Sequence, residues 1–401
     1  MSNSKFLNKL KDTDFILYFL CILTTAFGSL LVSSATRNDA LESGSVIGHE
    51  CLTMIAAAGV GIILCAVISF FDYNSIIRVW PIIALISIGL VCSLFIWGSA
   101  PADRPDAICW LPLFKVGGNT VYFQPSELAK VGFLITFASH ADLVKSDINS
   151  LKNVLLLTLH ALIPMGLVIL TDDLGSALVF GFMFVGMMFV AGVKIRYFAI
   201  AAGAGIAAIP LLWTKFLGSL HRQRILAVYY PSALKESVYR DVIYQQQRCL
   251  NAIGSGGFFG DGLYQGTYTQ SAAGVPVNES DTVFSVCGEE FGFVGSFLLV
   301  AVLAFICWWI MHTGKKSANM PGTLICYGTA FMIGSQAIMN LGMCLKLLPC
   351  IGITLPFVSS GGSSNLCIYL AIGLVMSVYR YNRYKKPVNF RYDGINTPFE
   401  D

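Results

Sequence analysis

Ten apolar runs, each long enough to cross a lipid bilayer, constrain the fold of this chain more than any other feature. A helix needs about 20 apolar residues to cross the hydrocarbon core. The runs lie at residues 14–35, 50–71, 77–98, 126–143, 152–171, 174–192, 196–217, 284–311, 321–345 and 363–379. Charged residues make up only 12% of the chain, half of the roughly 25% usual in soluble proteins. The sequence therefore predicts an all-α polytopic membrane protein, with one membrane domain filling residues 1–401.

Lysine and arginine orient the predicted bundle. When ten spans are threaded, one side collects most of the basic residues: Lys5, Lys9, Lys11, Arg78, Lys145, Lys152, Lys194, Arg196, Lys315, Lys316, Arg380, Arg383, Lys385, Lys386 and Arg391. Basic loops lie on the cytoplasmic side, so we expect both termini, including the tail 380–401, in the cytoplasm. The other side holds one long extracytoplasmic loop, residues 218–281, whose length exempts it from that rule. Its basic residues are candidates for binding an anion: Arg222, Arg224, Lys235, Arg240 and Arg248.

The twelve cysteines and the shortest connection carry structural predictions. Nearly all the cysteines lie in apolar runs at no metal-like spacing, so we interpret them as small packing residues, with a Cys109–Cys249 disulfide as the alternative. Only Thr171, Asp172 and Asp173 separate the fifth and sixth runs. This spacing predicts a tight helical hairpin.

Ionisable residues inside the runs need a reason, because each costs roughly 2.5–3.5 kcal/mol on insertion scales. Glu127 and Lys130 are three residues apart, on one face of the fourth span and about one turn inside the membrane. They either neutralise each other to anchor the helix end or face a polar functional cavity. Asp172 and Asp173 precede the sixth span, where one carboxylate suffices as a helix cap. We expect the other to face Lys130, giving a Glu127–Lys130–Asp173 cluster.

A segment rich in proline, glycine and serine, residues 348–364, interrupts the C-terminal runs. Non-helical backbone at membrane depth is tolerated only when it is buried in protein or lines a wet cavity. The segment is predicted to be a re-entrant loop, or else an external connector. In the threaded topology it lies on the extracytoplasmic face, together with the starts of spans four, six and eight.

The stretch Asn251–Gly260 and the acid Asp281 indicate chemistry on that face. The glycines permit close backbone approach, so we expect the stretch to mould around a bulky substrate and to help cradle a phosphate. Nucleotides are scarce outside the cell, so a synthetic reaction needs a substrate that is already activated, such as a lipid-linked pyrophosphate. Arginine or a divalent ion would stabilise the leaving polyprenyl pyrophosphate. Asp281, before the eighth span, is either the general base or a helix cap.

The chain resembles the SEDS family (shape, elongation, division and sporulation), the group of RodA, FtsW and SpoVE, from the first span to the last. The motifs that carry the resemblance are, in chain order, Gln124-Pro-Ser-Glu127-Leu-Ala-Lys130, Asp173-Leu-Gly175, Arg222-Gln-Arg224-Ile-Leu with Pro231, Tyr244-Gln245, Ala252-Ile-Gly-Ser-Gly-Gly257 with Gly260, Gly262 and Gly266-Thr267, Asp281, Gly288-Glu-Glu-Phe-Gly292-Phe293, and Gly352-Ile-Thr-Leu-Pro-Phe357 with Ser359 and Gly361-Gly-Ser-Ser364. The chain departs from the family pattern at Cys109, at Thr171-Asp172 and at Val277–Ser280.

The resemblance implies polymerisation of lipid II into glycan strands at the outer face of the bacterial cytoplasmic membrane. It implies Asp281 as the essential acid, with Glu127, Lys130 and Asp173 as supporting residues of the cavity. The predicted substrate-binding residues are Arg222, Arg224, Gln245, Arg248, Ser359, Gly361, Gly362 and Ser363.

The expected partners are lipid II, the nascent glycan strand, membrane lipids and a class B penicillin-binding protein that cross-links the strands, with no nucleic acid. A divalent cation, Mg²⁺ or Mn²⁺, is a candidate cofactor, although no motif identifies a metal site. Two other functions stay open: a flippase for the same lipid precursor, and a non-catalytic scaffold for the transpeptidase.

Overall fold

A computed structural model describes residues 13–42, 44–100, 107–116, 119–271 and 274–384. This part of the chain folds into fourteen α-helices and one antiparallel pair of strands. The elements, in chain order, are α1 (Phe15–Ala35), α2 (Arg37–Glu42), α3 (His49–Phe70), α4 (Tyr73–Arg78), α5 (Trp80–Trp97), β1 (Leu111–Val116), β2 (Asn119–Phe123), α6 (Pro125–Leu143), α7 (Leu151–Leu170), α8 (Leu174–Val190), α9 (Ile195–Leu211), α10 (Ser219–Tyr229), α11 (Glu236–Ser255), α12 (Val283–Lys315), α13 (Met320–Cys344) and α14 (Gly362–Tyr384).

Each of the ten predicted spans coincides with a helix. Eight helices of the described chain are long and apolar enough to cross a membrane: α1, α3, α5, α7, α9 (extended to Lys215), α12, α13 and α14. The other two are α6, which carries Glu127 and Lys130 near its start, and α8, which has 17 residues. The prediction of an all-α membrane protein with about ten spans is confirmed. The N-terminal lysines and the tail from residue 385 lie outside the described residues, so the cytoplasmic location of both termini stays a prediction.

The helical hairpin of the fifth and sixth spans is confirmed. Thr171–Asp173 joins α7 to α8, and Asp172 adopts a left-handed backbone conformation with φ of 61°. Aspartate tolerates this conformation better than most residues. The following Asp173 accepts the Ser176 backbone N–H at 3.0 Å and caps α8.

The core of the bundle lies around α13 and α14, and small residues bring the helices together there. A Cβ atom added to Gly373 of α14 would lie 3.0 Å from the Cα atom of Cys65 in α3. Close backbone approach of this kind is the usual way in which membrane helices pack. None of the twelve cysteines forms a disulfide, so the Cys109–Cys249 bond is absent and the packing interpretation holds.

The segment 218–281 is more ordered than the predicted loop, because it contains the helices α10 and α11. The buried residues of α11 recur every three positions, at Ile243, Gln246, Cys249 and Ala252. One face of this polar helix therefore packs against the bundle. A search for long apolar runs does not detect such a helix, since most of its residues are hydrophilic.

The glycine-rich stretch after α11 packs against a break in α12. Gly292 has φ of 64° and ψ of −160°, a backbone conformation that is almost restricted to glycine. At the break, the Phe293 and Val294 N–H groups donate to the carbonyls of Gly257 and Phe258, at 3.0 and 3.2 Å. The α11–α12 connection thus replaces hydrogen bonds that a continuous helix would make.

The prediction that this stretch moulds around a substrate is wrong for Gly256 and Gly260. Added Cβ atoms would lie 2.2 Å from the Gly288 oxygen and 2.3 Å from the Glu290 oxygen, respectively. Both positions are glycine because two backbones touch there.

Candidate active site

The N-termini of α6, α8, α12 and α14 meet at one end of the bundle, which we call the Asp281 end. Gln124, which precedes α6, joins two of the other elements. Its backbone N–H donates to Ser363 Oγ at 3.0 Å, and its side-chain Nε2 donates to Asp173 Oδ2 at 2.8 Å. The starts of α6, α8 and α14, which the sequence predicts on one face of the membrane, are therefore in contact.

The non-helical segment 345–361 links α14 to the residues before α12. Ser359 Oγ donates to the Ser280 carbonyl at 2.6 Å, and the Ser360 N–H donates to the Glu279 carbonyl at 2.9 Å. Phe357 and Val358 are fully buried, and Val358 lies against Gly28 of α1. Residues 355–359 of the segment are enclosed by protein, which is the condition that a re-entrant loop must meet.

Asp281 lies one residue before the capping position of α12. The capping position is Thr282, whose side chain makes no capping hydrogen bond. The Asp281 carbonyl accepts a hydrogen bond of 2.7 Å from Asn340 Nδ2, which also donates to the Ile353 carbonyl at 2.7 Å. Asn340 therefore fixes Asp281 against the non-helical segment, and the capping position of α12 belongs to Thr282 rather than to Asp281.

Glu279 gives the Asp281 end a second acid. Burial raises the pKa of the Glu279 carboxyl above its usual range, and the carboxylates of Glu50, Asp281 and Asp39 raise it further. A carboxyl in such surroundings holds its proton to a higher pH than an exposed one. The charge next to Asp281 is therefore sensitive to pH.

Glu127 and Lys130 form a buried ion pair, with 2.7 Å between Nζ and Oε1. Both residues are almost completely buried, at 5% and 1% exposure. The predicted cluster with Asp173 is wrong: among the described ion pairs, Lys130 has Glu127 alone as partner. The Asp173 carboxylate is occupied by the Ser176 N–H, Gln124 and the Ser126 hydroxyl.

The Asp172 side chain binds a different part of the chain from that of Asp173. Its Oδ1 lies 2.9 Å from Nε2 of His221 on α10. Of the two adjacent acids, one caps α8 and the other holds α10 to the α7–α8 hairpin.

A polar cavity of about 250 Å³ contains two of the predicted substrate-binding residues, Arg224 and Gln245. It is lined by Leu220, Arg224, Asp241, Val242, Tyr244, Gln245 and Cys350. Arg224 Nη1 donates to the Cys350 carbonyl at 3.1 Å. Gln245 Nε2 donates to the Pro276 carbonyl at 3.2 Å, so the cavity adjoins the segment that leads to Asp281.

The other six predicted substrate-binding residues are two arginines, two serines and two glycines. Arg222 lies half-buried on α10 and outside the lining of that cavity, whereas the Arg248 guanidinium lies over the rings of Tyr244 and Tyr268. Ser359 and Ser363 use their hydroxyls to hold protein backbone. A Cβ atom on Gly361 would lie 3.0 Å from the Thr354 side chain, whereas one on Gly362 would meet only ordinary contacts, 3.5 Å or more away. Direct substrate contacts by these residues stay a prediction.

Sequence reasoning missed Asn340 and Gln246 as parts of this site. Gln246 Nε2 donates to the carbonyls of Met343 and Leu348, at 2.8 and 2.7 Å, and so joins α11 to the end of α13. Asn340 carried a detectable signal, since an amide within an apolar run needs a hydrogen-bonding partner.

A divalent cation does not fit as an ion held by protein ligands alone. The described residues contain no group of three or more histidine, cysteine, aspartate or glutamate side chains arranged to hold a metal. Mg²⁺ commonly binds through one or two carboxylates together with substrate phosphates. A divalent cation therefore stays a prediction, and we expect it to bind together with the pyrophosphate of the substrate.

Residues 14–384 match a family model for FtsW, RodA and SpoVE, described as cell cycle proteins. The chain belongs to this family. A probable peptidoglycan glycosyltransferase FtsW from Thiomicrospira cyclica is 31% identical over 382 residues, which cover 92% of this chain and 91% of the relative. Stage V sporulation protein E from Bacillus subtilis is 26% identical, with coverages of 94% and 99%. The peptidoglycan glycosyltransferase MrdB of Escherichia coli is 27% identical, with coverages of 93% and 94%.

Solved structures of the FtsW/RodA/SpoVE family have the same fold. A chain from a peptidoglycan synthase complex, described as coordinating polymerization and crosslinking, aligns with a TM-score of 0.75 and 25% identity over 93% of this chain and 99% of its own. The rod shape determining protein RodA of Thermus thermophilus aligns with a TM-score of 0.66 and 25% identity over 93% of this chain and 98% of its own.

Proposed function

We propose that this protein is a peptidoglycan glycosyltransferase that polymerises lipid II into glycan strands at the outer face of the bacterial cytoplasmic membrane. The observation that carries the proposal is the position of Asp281. Its backbone carbonyl is held by Asn340 at the mouth of the bundle, and the segment that leads to it is joined to a cavity that contains Arg224. Relatives named as peptidoglycan glycosyltransferases align over almost the whole chain.

The reaction needs a base for the attacking hydroxyl. In the proposed step, a sugar hydroxyl of one lipid-linked saccharide attacks the anomeric carbon of another. The new C–O bond forms while the bond from that carbon to the pyrophosphate oxygen breaks. The Asp281 carboxylate accepts the hydroxyl proton, and the polyprenyl pyrophosphate leaves with the bonding electron pair. A positioned base of this kind contributes typically ~100–10,000-fold to the rate.

The leaving group carries negative charge, and the Asp281 end supplies positive charge. Arg224 lies in the adjoining cavity, and guanidinium groups stabilise developing phosphate charge. The N-termini of α6, α8, α12 and α14 add partial positive charges at the same end. Glu127 and Lys130 form their buried pair in the first two turns of α6 at the same end of the bundle, either as an anchor for that helix or as part of a functional cavity.

The proposed orientation puts the Asp281 end outside the cell and both termini in the cytoplasm. A class B penicillin-binding protein is the proposed partner, which would cross-link the strands as they form. The structural relative from a complex that coordinates polymerization with crosslinking supports this pairing.

The deciding experiment is polymerisation of lipid II by purified protein. We expect glycan strands from the unaltered protein and none from Asp281→Asn, because an amide cannot accept the proton. Asp261→Asn, an exposed acid of the same segment, is the matched control and should remain active. Full activity of a folded Asp281→Asn protein would refute the assignment of the base. A run with EDTA tests the cation.

The same purified protein separates the alternatives. A flippase would move labelled lipid II across vesicle membranes without forming strands. A scaffold would show neither activity alone and would stimulate a transpeptidase. If the isolated protein forms glycan strands, neither the flippase nor the scaffold hypothesis is sufficient to describe its function.

A further inference from the structure

Among the residues that the structure describes, no anionic side chain pairs with Arg248. Its guanidinium carbon lies 5.7 Å from the ring centre of Tyr244 and 5.3 Å from that of Tyr268, within the range of cation–π attraction. Its Nε atom is buried and has no hydrogen-bonding partner. Two aromatic rings orient this charge but do not neutralise it.

The backbone around Tyr268 is held by a fully buried carboxylate, that of Glu289 on α12. Glu289 Oε1 accepts the Tyr268 N–H at 2.6 Å. Its Oε2 accepts the Thr269 N–H at 2.8 Å and the Thr269 hydroxyl at 2.6 Å. Hydrogen bonds to a charged acceptor are roughly twice as strong as neutral ones. Glu289 therefore fixes the turn that places the Tyr268 ring against Arg248.

These groups adjoin the cavity that contains Arg224. Tyr244 belongs to both places, because its side chain lines the cavity with Arg224 and Gln245 and its ring lies under Arg248. Tyr244 and Arg248 are four residues apart on α11 and so lie on the same face of the helix. A ligand that fills the cavity and continues along this face reaches Arg248.

We propose that Tyr244, Arg248 and Tyr268 form an anion-binding clamp of the glycosyltransferase site, with Glu289 as its positioning residue. The inference rests on the proposed function for the identity of the ligand. The chemistry that a guanidinium recognises best is a planar or tetrahedral oxyanion, bound through two parallel N–H···O contacts. Lipid-linked peptidoglycan precursors offer two sources of that chemistry, the pyrophosphate and the carboxylates of the peptide stem.

Binding is measured by titration calorimetry on Asp281→Asn protein in detergent, so that turnover does not enter the result. The two probes are inorganic pyrophosphate and an N-acetylated peptide ending in D-Ala-D-Ala. We expect Arg248→Gln to weaken binding of one probe by about 10-fold or more, as for loss of a charged hydrogen bond. The probe that responds identifies the source of the anion.

The matched control is an arginine on another helix that also lies over a tyrosine ring. The Arg196 guanidinium carbon of α9 lies 5.0 Å from the ring centre of Tyr197, so Arg196→Gln should leave binding unchanged. Parent protein that binds neither probe, or Arg248→Gln protein that binds both as tightly as the parent, would overturn the clamp.

The role of Glu289 has its own test. Glu289→Gln and Tyr268→Ala should weaken binding to a similar extent, and the double variant should be no weaker than either, because both act through one ring. In the active enzyme, which keeps Asp281, both changes should raise the KM for lipid II about 10-fold and change kcat little. This pattern is expected when the ground state and the transition state lose the same binding interaction. A purely structural role would lower the amount of active enzyme and leave KM unchanged. Folded Glu289→Gln protein with parental binding would overturn the positioning role.

If Glu289→Gln does not fold, Tyr268→Ala, a change at a partly buried residue, carries the test alone, and parental binding by it refutes the clamp. The two proposals fail in different ways. An active Asp281→Asn enzyme refutes the base but leaves the clamp intact, whereas parental binding by Arg248→Gln refutes the clamp but leaves the base intact.

Discussion

Helices α9 and α14 can both span a membrane, yet they differ in almost everything else. Helix α9 is the more hydrophobic of the two, and none of its residues is buried. In α14, 78% of the most apolar window is buried. Lipid tails are as apolar as leucine, so hydrophobicity does not drive helices together within a bilayer. The comparison teaches that, in this protein, polar and small residues decide which spans form the core.

The buried helix α14 and its neighbour α6 carry polar residues of the candidate site. The first turn of α14 contains Ser363 and Ser364, which bond Gln124 and Thr354. The neighbouring helix α6 carries the Glu127–Lys130 pair. The described part of α9 consists mainly of alanine, glycine and isoleucine after its first turn. Changes on the buried side should therefore have large effects, and changes on α9 small ones.

The largest effect on stability is expected from Lys130→Met. Removing one partner of a buried ion pair costs about 3–5 kcal/mol, because the other charge stays buried alone. The double change Glu127→Gln and Lys130→Met should recover most of the loss, as measured by thermal unfolding in detergent. Its polymerisation activity then separates the two interpretations of the pair: an anchor predicts recovery of activity with stability, and a functional cavity does not.

Lys145→Met is the matched control for that series. Lys145 and Asp142 form another pair three residues apart, 2.9 Å long, at the opposite end of α6 and with the lysine side chain 61% exposed. Exposed pairs contribute roughly 0–1 kcal/mol. A loss as large as that of Lys130→Met would show that burial is not what distinguishes the two pairs.

Gly292→Ala tests the broken helix and should have the next largest effect. Alanine at this backbone conformation is strained by about 1–3 kcal/mol, and its Cβ atom would lie 2.4 Å from the Gly260 backbone nitrogen. We expect a lower unfolding temperature together with a loss of polymerisation, because the break joins α12 to the segment that precedes Asp281. An unchanged unfolding temperature would contradict the glycine requirement.

A smaller, pH-dependent effect is expected at Glu279. Because the pKa of this carboxyl is raised in the folded protein, the protonated form is favoured by folding. Its contribution to stability is complete below the pKa of the unfolded chain and is lost as pH rises through the raised folded value. Unfolding temperatures of Glu279→Gln between about pH 4 and pH 8 should depend less on pH than those of the unaltered protein. Glu236→Gln, an exposed acid, should show the unaltered profile.

The sequence predicted the spans and much of the site, and its failures share a physical cause. Long apolar runs located every spanning helix, and polar residues at the ends of runs located Asp281 and the Glu127–Lys130 pair. The errors concern partners: Asp173 was expected at Lys130 but binds Gln124 and Ser126. Spacing along one helix determines which residues share a face, whereas contacts between helices depend on packing that no local pattern encodes.

In the glycine-rich stretch, too, the sequence did not reveal which residues are in contact. Its composition correctly predicted positions where the backbone requires glycine. The reason for that requirement lay some 30 residues away in the sequence, at Gly288 and Glu290, whose carbonyls touch Gly256 and Gly260. A single sequence does not reveal that two glycine-rich regions face each other.

The smallest effect is expected on α9, and it tests the comparison most directly. A Cβ atom added to Gly203 or Gly205 meets nothing within 4 Å, so Gly205→Leu faces no steric barrier and replaces glycine within a helix. The unfolding temperature should stay the same or rise slightly, since glycine is the poorer helix former by about 1 kcal/mol. Gly373→Leu on α14, where the Cys65 backbone lies 3.0 Å from an added Cβ atom, is the contrasting control and should unfold at a much lower temperature. Equal losses for the two variants would mean that α9 packs against the bundle in the membrane, and the division between a polar core and a lipid-facing span would no longer hold.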